Sequence, residues 1–401
     1  MRGRYIALLI PLILIIPAGS WTGYVSFLTQ QNNRACLRAP GLETEDSIDG
    51  TGGTRPAPPS AETARALQSA LDEFSTGTRE VGLQATVIFP DSTVWNGTAG
   101  YADIKRECPM TLGHHLYIGS MTKLYTAALV LEHIEAGALS LDDRVSRWTD
   151  LPYGDEVSVR MLLNHTSGIP SYTEDTGFLL RYFALPRKRW RPAELTAVLE
   201  GKPLLFSPGT RHEYSNSNYL LLGVILESVT GSSYSALLSD LMEEKLNLFR
   251  THYLDYPDDI PLANGYDMSI FHLGRRNLSG FRTSLETGAF SAGGIVSTSA
   301  DTARFVHSLF TEKILGDAGL SRMLSFIDTS DPDVPAQSGY GLGVRRLEVG
   351  GSTWIGHTGT IPGYSGIAVH NRELSLTVVV LSNLSTIDQT GILETIFEAI
   401  R

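Results

Sequence analysis

Ile118-Gly-Ser-Met-Thr-Lys-Leu-Tyr-Thr-Ala-Ala-Leu-Val-Leu131 decides how this chain folds. The run predicts a helix over 121–136 that is apolar on nearly every face, through Leu124, Ala127, Ala128, Leu129, Val130 and Leu131. A helix with no polar face must be wrapped by the rest of a larger body. Its entrance carries Ser120, and Lys123 follows three residues later. Residues three apart share a helix face, so the amine lies within reach of the hydroxyl. A serine hydroxyl needs an adjacent base to act as a nucleophile. The helix start also offers free N–H groups and the positive dipole end, which suit an oxyanion. Taken alone, the pair could equally be a capping serine beside a surface lysine. Burial of the helix speaks against that, because a lysine facing a core needs a partner.

Working outward, Ser60 is an N-cap candidate for a helix over 61–74, which stops before Gly77. Strand-like runs at 83–89 and 93–101 flank Pro90-Asp-Ser92. The middle, 141–327, reads mostly helical with long loops; the main segments are 159–164, 192–199, 216–229, 234–245 and 299–310, the last capped by Ser299. Strands return at 341–349, 352–357, 364–371 and 374–381, with turns at Gly350-Gly351 and Asn371-Arg372, and a final helix covers 389–400. Strands at both chain ends with helices between them predict an α+β fold: one discontinuous antiparallel sheet flanked by helices, with a mostly helical second region.

Two further motifs lie far from the first. Tyr214-Ser-Asn216 opens an apolar helix, and His357-Thr358-Gly359-Thr360 ends a strand. Tyr214 and Asn216, two apart in a turn, can both face a cleft. Gly359 would let an extended substrate lie against its strand like an added strand. Each motif alone has a plain structural explanation: an N-cap beside a core tyrosine, and an ordinary hairpin.

Together the three motifs resemble those of the penicillin-recognising serine hydrolases: class C β-lactamases, D-Ala-D-Ala carboxypeptidases, esterases and D-aminopeptidases. Leu162-Leu-Asn-His-Thr-Ser-Gly-Ile-Pro170, Phe206-Ser-Pro-Gly209 and Ser291-Ala-Gly-Gly-Ile-Val-Ser297 are in the same style. The resemblance covers residues 61–400. It implies a β-lactamase/transpeptidase-like fold with the active site between sheet and helical region. It implies Ser120 as the acylated nucleophile, Lys123 and Tyr214 as proton carriers, and Asn216 as a holder of the substrate's amide or ester side chain. It further implies an oxyanion hole from the N–H groups of Ser120 and Thr360, with His357 where many relatives place a lysine that grips the substrate carboxylate. Imidazole is mostly neutral at pH 7 and grips a carboxylate weakly, which favours a peptidase or esterase over an efficient β-lactamase. Ionising a tyrosine at neutral pH costs roughly 4 kcal/mol, and a lysine cation about 4 Å away supplies about 4 kcal/mol at an effective dielectric near 20. Tyr214 is therefore the expected base with Lys123 its charged neighbour, the reverse staying open because the two titrate together.

The chain has 401 residues, a net charge of -11 and a pI of about 5.4. Such a surface repels nucleic acid, which leaves a small molecule or peptide as the expected partner; the oligomeric state is undetermined. The one dense basic stretch, 181–191, reads as a solvated loop. No His-Glu-x-x-His helix occurs, so no metal or cofactor is expected. No Gly-x-Ser-x-Gly elbow occurs either. Arg2 and Arg4 precede an apolar run over 5–17 with small residues at 18–20, a secretory signal. The run extends to Leu28, long enough to span a bilayer as an anchor, which allows membrane attachment through residues 5–28. The expected organisation is a signal or anchor over 1–28, a Gly/Pro-rich linker over 29–60 and a catalytic domain over 61–401, secreted or extracytoplasmic. Outside the cytosol a Cys36–Cys108 bridge can form. Two rival readings keep the fold: an acyltransferase, and an inert module that recognises cell-wall or peptide fragments.

Overall fold

The computed structural model describes Cys36 and residues 56–401, apart from 79–80, 255, 257–259, 269–274 and 312–313. The signal or anchor over 1–28, and all of the linker over 29–60 except Cys36 and 56–60, lie outside the described residues. Among the described residues no single helix is long and apolar enough to cross a membrane.

Leu376–Ser382 reads LTVVVLS and is buried along its whole length. An unbroken apolar run of that kind belongs at the centre of a sheet covered on both faces. It pairs antiparallel with Leu83–Ile88 on one side and Tyr364–Asn371 on the other. Eight strands follow the order Val94–Ala99, Leu83–Ile88, Leu376–Ser382, Tyr364–Asn371, Ser352–Ile361, Arg345–Val349, Gln337–Tyr340, Ile327–Asp328. The N-terminal hairpin thus completes a sheet begun by the C-terminal third of the chain, as the sequence predicts.

Side chains alternate across this sheet. Val378 and Val380 join a core with Leu67, Leu71, Trp354, Ile396 and Phe397, under the terminal helices Ala61–Gly77 and Gln389–Glu398. Val379 and Leu381 face the larger core of the helical region. There Thr122–Glu135 is buried over its first ten residues. Tyr125 stacks on Phe305 at 3.6 Å, and Thr126 donates to the Ser291 carbonyl at 2.7 Å. Each fully buried leucine of this helix stabilises the fold by about 1.5–3 kcal/mol.

Several boundaries differ from expectation. The strand expected to end at residue 357 continues to Ile361, because Pro362-Gly363 makes the turn: Ile361 pairs with Tyr364, and Gly363 takes a φ of 93°. The strand expected over 341–349 is confined to Arg345–Val349, and a strand not expected from sequence, Gln337–Tyr340, precedes it. Ser299 is not the cap of Ser299–Phe310; the Thr298 side chain accepts from Asp301 N at 3.2 Å, and Ser299 accepts from the Thr86 hydroxyl. The segment 234–245 starts as α-helix and widens to a π-turn at Asp240–Lys245. Helices at Thr176–Ala184, Arg282–Ala289 and Asp317–Met323 add to the segments named from sequence in the mostly helical middle. The basic stretch is not all solvated: Trp190 is buried with its Nε1–H on Ser284, and Lys188 pairs with Glu194 at 2.7 Å. Cys36 and Cys108 are joined by a disulfide.

Candidate active site

Ser120 sits in a 3-10 turn, Gly119–Met121, at the mouth of the Thr122–Glu135 helix. That turn packs directly on the strand Ser352–Ile361. A Cβ on Gly359 would lie 2.0 Å from the Ile118 carbonyl oxygen. The missing side chain therefore makes room for the nucleophile's turn. This corrects the expectation that Gly359 clears space for substrate. Thr358 and Thr360, alternate residues of the same strand, line the cleft instead, with Ser120, Tyr214 and Asn216. The neighbouring strand pairs only as far as Arg345↔Gly356, so beyond Gly356 it gives Thr358–Thr360 no ladder partner on that side.

Lys123 is wholly buried. Its Nζ lies 2.9 Å from Ser120 Oγ, 2.8 Å from Asn216 Oδ1 and 2.7 Å from the Ala292 carbonyl. Asn216 turns its amide oxygen to the lysine while its Nδ2 donates to Thr173 at 2.9 Å. Both oxygens can only accept, so they take two N–H bonds. A neutral amine has just those two hydrogens and one lone pair, which then faces the serine hydroxyl. Burial, reinforced by the nearby Arg345 cation, holds Lys123 well below the usual lysine range. No carboxylate bonds to Nζ to oppose this.

Tyr214 lies beside them, its ring centroid 4.9 Å from Lys123 Nζ. Its hydroxyl is shielded and makes no full hydrogen bond. Burial pushes it up to about 12, although Arg345 and Ser120 pull the other way. Burial thus disfavours the charged form of both groups, moving the balance toward amine and phenol and away from the ammonium and phenolate expected from sequence.

His357 is not in the cleft. The imidazole is fully buried, with Nε2 3.0 Å from the Tyr340 hydroxyl and Nδ1 2.5 Å from the Thr358 carbonyl. Both ring nitrogens are engaged, which corrects the expectation that His357 grips a substrate carboxylate. The cleft-lining cation is Arg345. It lies 4.9 Å from the Tyr214 ring and is held by Asp331 at 2.9 Å and by Gln337. Glu174, Asp331 and Asp333 line the same cleft. None of these four was singled out in the sequence, since an isolated Arg, Asp or Glu carries no local signal. Gln389, at the start of the last helix, also lines the cleft and donates to the Gly359 carbonyl at 2.7 Å. Among the described residues no group of three His, Cys, Asp or Glu side chains could hold a metal ion.

The β-lactamase family model matches residues 67–399. Penicillin-binding protein 4* of Bacillus subtilis is 25% identical over 72% of this chain, which spans 65% of that protein's length. The D-aminopeptidase of Brucella anthropi is 25% identical over 71% of this chain, covering 52% of that protein. The D-amino acid amidase of Ochrobactrum anthropi SV3, solved with D-phenylalanine, superposes with a TM-score of 0.76 at 26% identity, over 85% of this chain and 99% of that one.

Proposed function

Because the chain belongs to the β-lactamase family of serine hydrolases, we propose that it cleaves amides or short peptides of D-amino acids bearing a free amino group, through an acyl-enzyme on Ser120. The observation that carries the mechanism is the buried amine of Lys123 against Ser120 Oγ. Lys123 takes the hydroxyl proton as Oγ attacks the carbonyl carbon. The developing oxyanion is met by the N–H groups of Ser120 and Thr360. Tyr214, kept protonated by burial, delivers its proton to the leaving nitrogen as the C–N bond breaks, and recovers one from the Lys123 ammonium. Water then attacks the ester carbon, loses a proton to Lys123, and Oγ leaves reprotonated. Asn216 holds both Lys123 and the substrate's side.

The substrate class is supported by the lining. Asp331 and the cleft's guanidinium, Arg345, offset each other as an ion pair, and Glu174 and Asp333 add two further carboxylates to the lining. Such a field favours an ammonium over the carboxylate of a β-lactam. The D-amino acid amidase and D-aminopeptidase relatives point to the same class.

The test is a panel of D-phenylalanine amide, its N-acetyl form, a D-Ala-D-Ala peptide, a cephalosporin and a p-nitrophenyl ester, run on wild type and Tyr214→Phe. The free-amine amide is expected to be turned over best, with kcat/KM at least about tenfold above its N-acetyl form, the equivalent of 1.4 kcal/mol. Equal rates for both, or preferred cephalosporin turnover, overturn the substrate class. Tyr214→Phe is expected to lose about 10²–10³-fold on the amide and far less on the nitrophenyl ester, whose leaving group needs no proton. Equal losses on both would make Tyr214 the base.

We further propose that the enzyme works outside the cytosol, by way of the signal or anchor over 1–28. The Cys36–Cys108 bridge supports this, since disulfides persist in oxidising compartments. Fractionation of cells, followed by thiol labelling with and without reductant, checks it. A cytosolic protein with both thiols free would refute it.

A further inference from the structure

Behind the cleft, three buried side chains join two of the sequence motifs in a single file. His165, Tyr340 and His357 are all fully buried. The Tyr340 hydroxyl lies 3.2 Å from His165 Nε2 and 3.0 Å from His357 Nε2. The outer nitrogens end on groups whose roles are fixed. His165 Nδ1 lies 3.2 Å from Ser215 N, a backbone N–H that can only donate. Asn218 Nδ2, 3.0 Å away, donates to it too, its Oδ1 being taken by the Ser167 hydroxyl at 2.6 Å. His165 Nδ1 is therefore the lone-pair nitrogen, and its hydrogen is on Nε2. At the other end His357 Nδ1 faces the Thr358 carbonyl, which can only accept, so Nδ1 carries the hydrogen and Nε2 the lone pair. The two ends, fixed independently, demand the same polarity. His165 Nε2–H donates to Tyr340 O, Tyr340 O–H donates to His357 Nε2, and His357 Nδ1–H donates to Thr358 O.

We propose that His165 and Tyr340 are positioning residues of the catalytic centre: this one-way chain locks His357 as the neutral Nδ1–H tautomer and so sets the spacing between the Tyr214–Asn216 loop and the Thr358–Thr360 strand. Neither touches substrate. One end of the chain is the backbone between Tyr214 and Asn216, and the other is the backbone two residues before Thr360. His165 is further committed to that loop. Its carbonyl accepts from Glu213 N at 2.9 Å, and its ring packs on the Tyr214 ring at 4.3 Å. It also adopts a φ of 59°, a conformation a non-glycine residue keeps only when its surroundings hold it there. Each link has one hydrogen, so a proton added to either imidazole creates two donors face to face. The charged and titratable groups around the chain, Lys123, Arg345, His212, Tyr214 and Tyr219, include three basic side chains and no carboxylate. Burial first, then these neighbours, holds both imidazoles well below their usual range.

The kinetic arm of the test rests on Ser120 as nucleophile; the spectroscopic arm does not. In protein labelled with ¹⁵N-histidine, and assigned with His165→Asn and His357→Asn, the wild type should show His165 protonated at Nε2 and His357 at Nδ1, both unchanged across the active pH range. The opposite tautomer at either residue overturns the proposal whatever the enzyme hydrolyses. Tyr340→Phe removes only the linking oxygen. It is expected to lower kcat by about ten- to a hundredfold with KM within about twofold, and to move the acid limb of the pH profile upward, because His357 Nε2 is then open to a proton. His165→Asn keeps an acceptor for Ser215 N but cannot reach Tyr340, and should match it. The double variant should be no worse than either single one, as for members of one unit. Additive losses, or variants that lose only thermal stability with kcat and pH profile unchanged, reduce the chain to packing and overturn the proposal.

Discussion

Ser120→Ala is expected to lower kcat/KM for the amide substrate by about 10⁴–10⁶-fold, the loss seen when the nucleophile of a covalent hydrolase is removed. Nothing in the cleft replaces it. Ser171 also lines the cleft, yet its Oγ is tied to Thr173 at 2.9 Å and accepts from Asn216 N at 3.2 Å, with no amine on it. The variant should still fold. Lys123 loses one of three partners and keeps Asn216 and the Ala292 carbonyl, so stability should change by no more than about 1 kcal/mol. Substrate binding should survive, because the carboxylate lining and the strand edge at Thr358–Thr360 are untouched. Intact-mass spectrometry after mixing with an ester or amide should find an acyl adduct on wild type and none on Ser120→Ala. An adduct that persists and maps to another serine would remove Ser120 from its role. Tight binding without turnover by the wild type would instead favour an inert recognition module.

The parts of this site legible in the sequence were those encoded by period and spacing. The Ser120–Lys123 pair could be placed because three residues along an all-apolar helix leave a lysine one direction in which to find a partner. The sheet order was legible in outline because LTVVVLS at the chain's end and LQATVI near its start both need burial on two faces. The orientation of His357 was not legible. Its side depends on where the strand stops, and that was set by Pro362-Gly363, five residues on. Gly359 was read as a concession to substrate because the turn that presses on it, at Ile118, lies 241 positions earlier in the chain. Arg345, Asp331 and Glu174 were silent for a similar reason: a charged residue acquires meaning from neighbours that only tertiary structure supplies. The proton balance between Lys123 and Tyr214 depends on an environment that the sequence does not show. The sequence suggests a charged lysine, whereas full burial beside Arg345 with no bonded carboxylate disfavours the ammonium, and burial of the phenol outweighs the pull of Arg345 on Tyr214.

Lys123→Met is expected to cost about 10³–10⁴-fold in kcat/KM and, in the same molecule, to alter how stability depends on pH. The kinetic loss follows from removing the lone pair that accepts the Ser120 proton; Arg at this position should not restore it, because a guanidinium does not deprotonate. The stability effect follows from linkage. Lys123 has a depressed folded value, so between that value and the ordinary lysine range the unfolded chain binds a proton that the folded chain does not. Stability of the wild type must therefore rise with pH through that window, by up to about 1.4 kcal/mol per pH unit from this one group. Below the folded value both states are protonated and the penalty is constant. Methionine binds no proton in either state, so the variant lacks this slope. Near neutral pH the two changes oppose each other, since methionine removes the cost of keeping an amine neutral but leaves the Ala292 carbonyl and Asn216 Oδ1 without a donor, at about 1–3 kcal/mol each. The slope is free of that ambiguity, because the lost hydrogen bonds do not titrate. Urea unfolding of both proteins at several pH values from 7 to 10 reads it directly. A steeper rise in the wild type, by a fraction of a proton or more, supports a neutral Lys123 in the folded enzyme. Parallel curves would mean that the lysine is charged in the native state, and the role of base would then have to pass to Tyr214.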